Sequence, residues 1–194
     1  SGSPSEHPTS PILRFLCYTF SMKRLLSVLV GLEIFLLGGG QGWCADFQKG
    51  HAAYRSGDYA TALREWKPLA ENKGVLSLFY SKEDVINAQY FLGVMYDNGQ
   101  GVPKDGKSAV KWFKLAAAQG FSLAQYNLGG MYRSGRGVKL DNVYAHMGGN
   151  LAASNGNESG GELRDIVAKW MTPADITVAR QLAHECVRKK YKGC

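Results

Sequence analysis

An all-α fold of stacked helix hairpins, an α/α solenoid, is predicted by three observations. Ala88-Gln89-Tyr90-Phe91-Leu92-Gly93-Val94-Met95-Tyr96-Asp97-Asn98-Gly99-Gln100-Gly101-Val102 returns 36 residues later as Ala124-Gln125-Tyr126-Asn127-Leu128-Gly129-Gly130-Met131-Tyr132-Arg133-Ser134-Gly135-Arg136-Gly137-Val138. Ten of the fifteen aligned positions are identical, where unrelated segments of ordinary composition share about one. Within each copy the apolar residues recur at helical steps, Ala88, Leu92, Met95 and Tyr96, then Ala124, Leu128, Met131 and Tyr132, and nothing alternates with the period of two that a strand needs. Gly-rich turns and capping aspartates divide the chain into helix-length pieces. A unit of this period cannot bury its apolar face alone and stacks on its neighbours, giving an extended surface suited to holding a partner.

Residues 1–21 carry no usable pattern and are expected to be a leader or tag. From 22 to 45 the order is that of a secretory signal peptide: Met22, then Lys23 and Arg24, an apolar run from Leu25 to Leu37, three glycines, and a small-residue exit at Gly42 and Ala45. Cleavage is expected after Ala45, and Trp43 before Cys44 argues against a lipoprotein site. The alternative is a retained anchor, against which stands the run's length of 13 residues, since about 20 are needed to cross the hydrocarbon.

Residues 46–73 read as a degenerate hairpin: Phe47, Ala52, Ala53 and Tyr54, a tight turn at Ser56-Gly57-Asp58-Tyr59, then Ala62, Leu63, Trp66, Leu69 and Ala70. Residues 74–86 are an insertion and helix start. Apolar Leu76, Leu78, Phe79 and Tyr80 make it a docking candidate, against the alternative of simple packing on the cap, and Ser81 with Asp84 forms a capping box. The two clear repeats occupy 87–122 and 123–158. In the first, Ala109, Trp112, Phe113, Ala116 and Ala117 are spaced to pack back on the preceding helix, and Gly93 and Gly129 permit close approach. The glycines at 99, 101, 135 and 137 lie in turns, with Asp105 and Asp141 placed to cap the following helices. They are not a phosphate loop, which needs a preceding strand. Residues 159–194 form the C-terminal cap. A helix runs from about Glu158 to Trp170, and Thr172-Pro173-Ala174-Asp175 starts a final helix expected to reach about Lys190.

One departure breaks the repeat: Gly148-Gly149 stands where the first copy has Trp112-Phe113. Each helical glycine costs about 1 kcal/mol relative to Ala, and the lost aromatic pair removes packing. This hairpin is therefore expected to be soft, with either a neighbouring side chain filling the gap or a cleft opening.

The chain of 194 residues carries 23 Lys+Arg against 16 Asp+Glu. Without Arg14, Lys23, Arg24, Glu6 and Glu33 the processed chain keeps 20 basic and 14 acidic side chains. Arg188, Lys189, Lys190 and Lys192 cluster at one end, where cations complement a helix C-terminus and offer weak contact with an anionic membrane. After processing only Cys186 and Cys194 remain, and in an exported protein a pair this close reads as a disulfide tying the tail to the last helix, worth about 2.5 kcal/mol on the chain-entropy estimate.

These residues resemble the Sel-one-like repeat family, relatives of the tetratricopeptide repeats. The carriers are Ala88-Gln89-Tyr90, Leu92-Gly93, Met95-Tyr96, Gly99-Gln100-Gly101-Val102, Asp105, Ala109, Trp112, Ala116-Ala117 and Gly120, with their counterparts in 124–156. The resemblance implies a right-handed α/α superhelix acting as an adaptor, often bacterial and exported, whose concave helices hold peptide or protein partners. Members with disulfides inside the repeats are credited with penicillin-like or peptidoglycan ligands, and this chain has no cysteine there.

The function expected is a non-enzymatic periplasmic or secreted scaffold, monomeric, binding a protein segment and no nucleic acid, with no cofactor and no metal site. Contact is expected from first-helix residues that the core pattern leaves free: Tyr90, Phe91, Val94 and Asp97, matched by Tyr126, Asn127 and Arg133. The alternative is a cell-wall ligand-binding or hydrolytic protein. For that chemistry His51, His146 and His184 are scattered over separate helices without ligand-like spacing, so no catalytic residue is assigned. Nucleic-acid binding lacks stacking aromatics among the terminal cations apart from Tyr191.

Overall fold

The computed structural model describes residues 45–72 and 80–193. The leader, the signal segment before Ala45, most of the insertion and Cys194 lie outside the described residues. Among those described there are eight helices and no strand: α1 Phe47–Arg55, α2 Tyr59–Glu71, α3 Lys82–Asn98, α4 Gly106–Ala117, α5 Ser122–Ser134, α6 Asn142–Ser154, α7 Glu158–Ala168 and α8 Pro173–Arg188. The predicted all-α solenoid is what forms.

Local chemistry starts and stops these helices. Asp46, Asp58, Ser81, Asp105, Asp141, Asn157 and Thr172 each accept a hydrogen bond from a backbone N–H in the first turn of the helix that follows. Thr172 and Asp175 complete a reciprocal capping box with Pro173 in the first turn. Gly99 and Gly135 end α3 and α5 in the left-handed region, at φ 75° and 68°, where a side chain is strained.

Sequential pairs α1/α2, α3/α4 and α5/α6 pack as hairpins, and each second helix also packs on the next first helix. The C-terminal pair departs from this. α8 lies mainly against α6, where Met147, Leu151, Ala183 and Cys186 form a small buried cluster. The main interior is N-terminal to it. Trp66, Leu69, Leu92 and Met95 fill the α1–α3 interior, and Ala109, Phe113, Ala116 and Met131 fill the next. Phe113 is 1% exposed, so truncating it to Ala is expected to cost about 3–5 kcal/mol.

Of the two outcomes expected at Gly148-Gly149, a neighbouring side chain fills part of the gap: Leu163 Cδ2 of α7 stands 3.0 Å from where a Cβ on Gly129 would lie, and beside it the backbones close up. A Cβ on Gly148 would stand 2.9 Å from Gly129 Cα, and one on Gly149 would stand 2.7 Å from the Gly160 carbonyl oxygen. Glycine met by glycine lets α5, α6 and α7 approach to main-chain contact, and dispersion across that contact replaces the lost aromatic packing.

Two polar links set the register between repeats. Gln89, buried, donates to the Ala70 carbonyl at 3.1 Å and accepts from Gln119 at 2.8 Å. Its equivalent Gln125 donates to Ala117 and accepts from Asn155 at 2.9 Å, and the Tyr191 hydroxyl donates to Asn155 in turn. Each such amide joins the C-terminus of one second helix to the next hairpin, and leaving those groups unpaired would cost about 1–3 kcal/mol each. The loops supply the second link. Gln100 bonds Tyr54 and Tyr59 of the preceding hairpin, and at the equivalent place Arg136 reaches Asp97.

His146 is buried in α6 at 1% exposure, and its Nδ1 finds no hydrogen-bond partner among the described residues. Burial lowers its pKa, assisted by Arg180 on α8 and Arg164 on α7 and opposed by Asp165. As pH falls below about 6.5, the unfolded chain binds the proton before the folded one does, so stability is lost from there down to the depressed folded value. Urea midpoints should therefore fall between pH 7.5 and 5.5, with a slope of at most ~1.4 kcal/mol per pH unit from this residue, and His146→Gln should flatten that part of the profile.

Candidate functional site

The first helices, α1, α3, α5 and α7, carry all seven predicted contact residues or lie beside them, and the two repeats present them differently. In the first, Phe91 is half-buried and stacks on Trp66 with centroids 4.7 Å apart, flanked by Phe47 and Tyr54. Tyr90 packs edge-on against Phe121 at 5.1 Å and beside Phe113. Val94 joins the same apolar cluster. These three contribute to junction packing as well as to the surface.

Burial raises the Tyr90 pKa, opposed by the Asn127 side chain of the second repeat, so the phenol stays neutral across physiological pH.

The second repeat opens instead of filling. Asn127 replaces Phe91 and Gly130 replaces Val94 at the +36 positions, and a Cβ at Gly130 would meet nothing within 4 Å. The result is a groove of about 400 Å³ between α5 and α7, lined by Tyr126, Asn127, Arg133 and Arg136 on one side and by Glu162, Leu163 and Ile166 on the other. Thus Tyr126, Asn127 and Arg133 come together. Asp97 is held elsewhere: Arg136 Nη1 donates to both of its carboxylate oxygens at 2.7 Å, across the repeat junction. Trp170, 64% exposed, lies in the turn after α7 and is not part of the groove lining.

Sequence reasoning missed Arg136, Glu162 and Ile166. A signal for the last two existed, because Glu162 and Ile166 are Tyr126 and Gly130 carried forward by one more period of 36. The histidines have separate surroundings, His51 stacked on Phe47, His146 inside α6, and His184 exposed on α8. Among the described residues no group of three or more His, Cys, Asp or Glu is placed to hold a metal ion. Cys186 is buried and disulfide-bonded.

Helix hairpins repeated at a fixed period, with loops and buried amides linking each to the last, define an α/α helical-repeat protein. More narrowly, residues 86–121 and 122–157 each match the Sel1 repeat model. Two solved structures are similar. One is c5321, a protective antigen present in uropathogenic Escherichia coli strains and displaying an SLR fold, at 27% identity and a TM-score of 0.64 over 75% of this chain. The other is a Sel1 repeat protein from Oxalobacter formigenes, at 27% identity and a TM-score of 0.50 over 61% of this chain. The chain spans 30% and 44% of their respective lengths. No curated protein matches.

The Asp97–Arg136 pair makes a measurable claim about the junction. A double-mutant cycle with Asp97→Ala and Arg136→Ala should give a coupling of about 0.5–1 kcal/mol in chemical denaturation at low ionic strength, shrinking in 0.5 M salt because Arg136 is exposed to solvent. A coupling of zero at low salt would show that the pair does not hold the repeats in register.

Proposed function

We propose that the chain is a non-enzymatic, exported scaffold that binds a segment of another protein in the α5–α7 groove. The observation carrying this reading is that groove itself: Gly130 leaves its floor open, Arg133 and Glu162 stand as opposite charges at its sides, and Leu163 with Ile166 supplies an apolar wall. Such a mixed lining suits an amphipathic segment, with an apolar side chain seated against Ile166 and polar groups meeting Arg133, Asn127 and Glu162. Tyr and Arg, which line this groove, are among the residue types that most often dominate binding energy at interfaces.

The fold relationship to Sel1 proteins supports a scaffold reading, and the apolar stretch after Met22 supports export to the periplasm or beyond. In that compartment a Cys186–Cys194 bond would tie the tail to α8. The scaffold acts as a monomer, with the array's face available along its length.

Binding should be tested by capture from periplasmic extract with immobilised wild-type chain and two variants, Tyr126→Ala/Arg133→Ala and Ile166→Ser. Each variant is expected to weaken the specific partner by about tenfold or more, the scale of a hot-spot loss of at least 1.4 kcal/mol, with circular dichroism checking each fold because Tyr126 also packs against the Ala145, Leu163 and Val167 cluster. Recovery of the same proteins by wild type and both variants would mean the groove is not the binding site.

A further inference from the structure

A second groove lies between α4, α5, α6 and α8 and holds about 300 Å³. Its walls include Lys114, Tyr132, Tyr144, Met147, Leu182 and Lys189. Tyr132 and Tyr144 stack at 5.1 Å with an interplanar angle of 22°, giving one wall a continuous aromatic surface. Lys114 Nζ sits 5.9 Å from the Tyr132 ring centroid. Across the opening, Lys189 meets Glu185 at 2.6 Å. The two ammonium groups come from residues more than seventy positions apart in sequence, and only the fold brings them to one cleft.

The surroundings are basic. Lys111 is exposed one turn before Lys114, and Arg188, Lys190 and Lys192 follow the α8 end, while Glu185 is the acid in the lining. The tail is positioned, too. Lys190 and Tyr191 turn it through the left-handed region at φ 52° and 63°, the Tyr191 ring covers Gly120, and its hydroxyl donates to Asn155 at 2.9 Å. That fixes the chain around Lys189 and Gly193 as a wall.

We propose that this groove takes an acidic segment of a protein partner, with carboxylates on Lys114 and Lys189 and an aliphatic side chain between them, over Met147 and Leu182. Charge complementarity selects this occupant. The Glu185 carboxylate already occupies Lys189 in the way a partner's carboxylate would, so it acts as an internal competitor. The terminal cations, which read as a mere helix-end cluster in the sequence, thereby acquire a recognition role distinct from that of the α5–α7 groove.

The probe is a fluorescent ten-residue peptide of alternating Glu and Leu, followed by anisotropy against the full chain. A matching Lys/Leu peptide and anionic phosphatidylglycerol vesicles serve as alternatives. All the varied residues are on the surface, and circular dichroism checks each fold. The Glu/Leu peptide is expected to bind, more weakly as salt rises, with Lys114→Glu/Lys189→Glu lowering affinity about tenfold or more and Glu185→Gln raising it about threefold. Arg133→Glu/Ile166→Ser should leave it unchanged, which separates this site from the first groove. Equal binding of the Lys/Leu peptide, binding to vesicles alone, no loss in the double Lys variant, or no gain with Glu185→Gln would each overturn the proposal.

Discussion

The helices of this array cross at glycines, and what faces each glycine sets how far apart the helices stand. In the N-terminal hairpin Gly50 faces the Trp66 indole, and in the first clear repeat Gly93 faces the Phe113 ring. A Cβ on either would run into the aromatic ring. In the second clear repeat the facing aromatic is gone, and Gly148 and Gly149 meet the main chain of Gly129 on one side and Gly160 on the other. A ring on a glycine and a glycine on a glycine are two ways of filling one volume. The second draws α6 in between α5 and α7 and leaves its remaining side to α8.

That constraint shapes the surface. The two repeats share their skeleton down to the buried amides of Gln89 and Gln125, yet Phe91 and Val94 give way to Asn127 and Gly130 on the face away from the crossing. An identical scaffold thus carries aromatic packing at one end and an open polar groove at the other. What both repeats keep is the crossing glycine and the buried amide, whereas the junction contacts made at Phe91 and Gln100 in the first repeat are replaced by different ones at Asn127 and Arg136 in the second.

Much of the fold was legible because it was local or periodic. Caps at Ser81, Asp105, Asp141 and Thr172, stops at Gly99 and Gly135, and the helical spacing of Leu92 and Met95 depend on neighbours within a few residues. The fate of Gly148-Gly149 was not legible from its own segment. Sequence records the deleted volume, but whether a cavity, a side chain or a backbone answers it depends on Gly129 and Gly160, which only the helix crossing brings opposite. Asp97 was assigned to the surface for a similar reason, since its partner Arg136 sits 39 residues away in a loop. The path of α8 was equally hidden, because Ala179, Ala183 and Cys186 form an apolar stripe that would suit α6 or α7 alike. The groove residues on α7 were the recoverable part, one further step of the same period.

Two glycines inside helices test the close-approach claim most directly. Gly130 has open space where its Cβ would go, whereas Gly149 faces the Gly160 carbonyl and the Arg164 amide at 2.7 and 2.8 Å. Thermal unfolding of the two single variants should move in opposite directions. Gly130→Ala is expected to gain about 1 kcal/mol from helix propensity, and Gly149→Ala to lose about 1–3 kcal/mol through forced separation of α6 and α7, each kcal/mol moving the melting temperature by about 2–4 °C. A Gly149→Ala protein as stable as wild type, or stabilised like Gly130→Ala, would contradict the account.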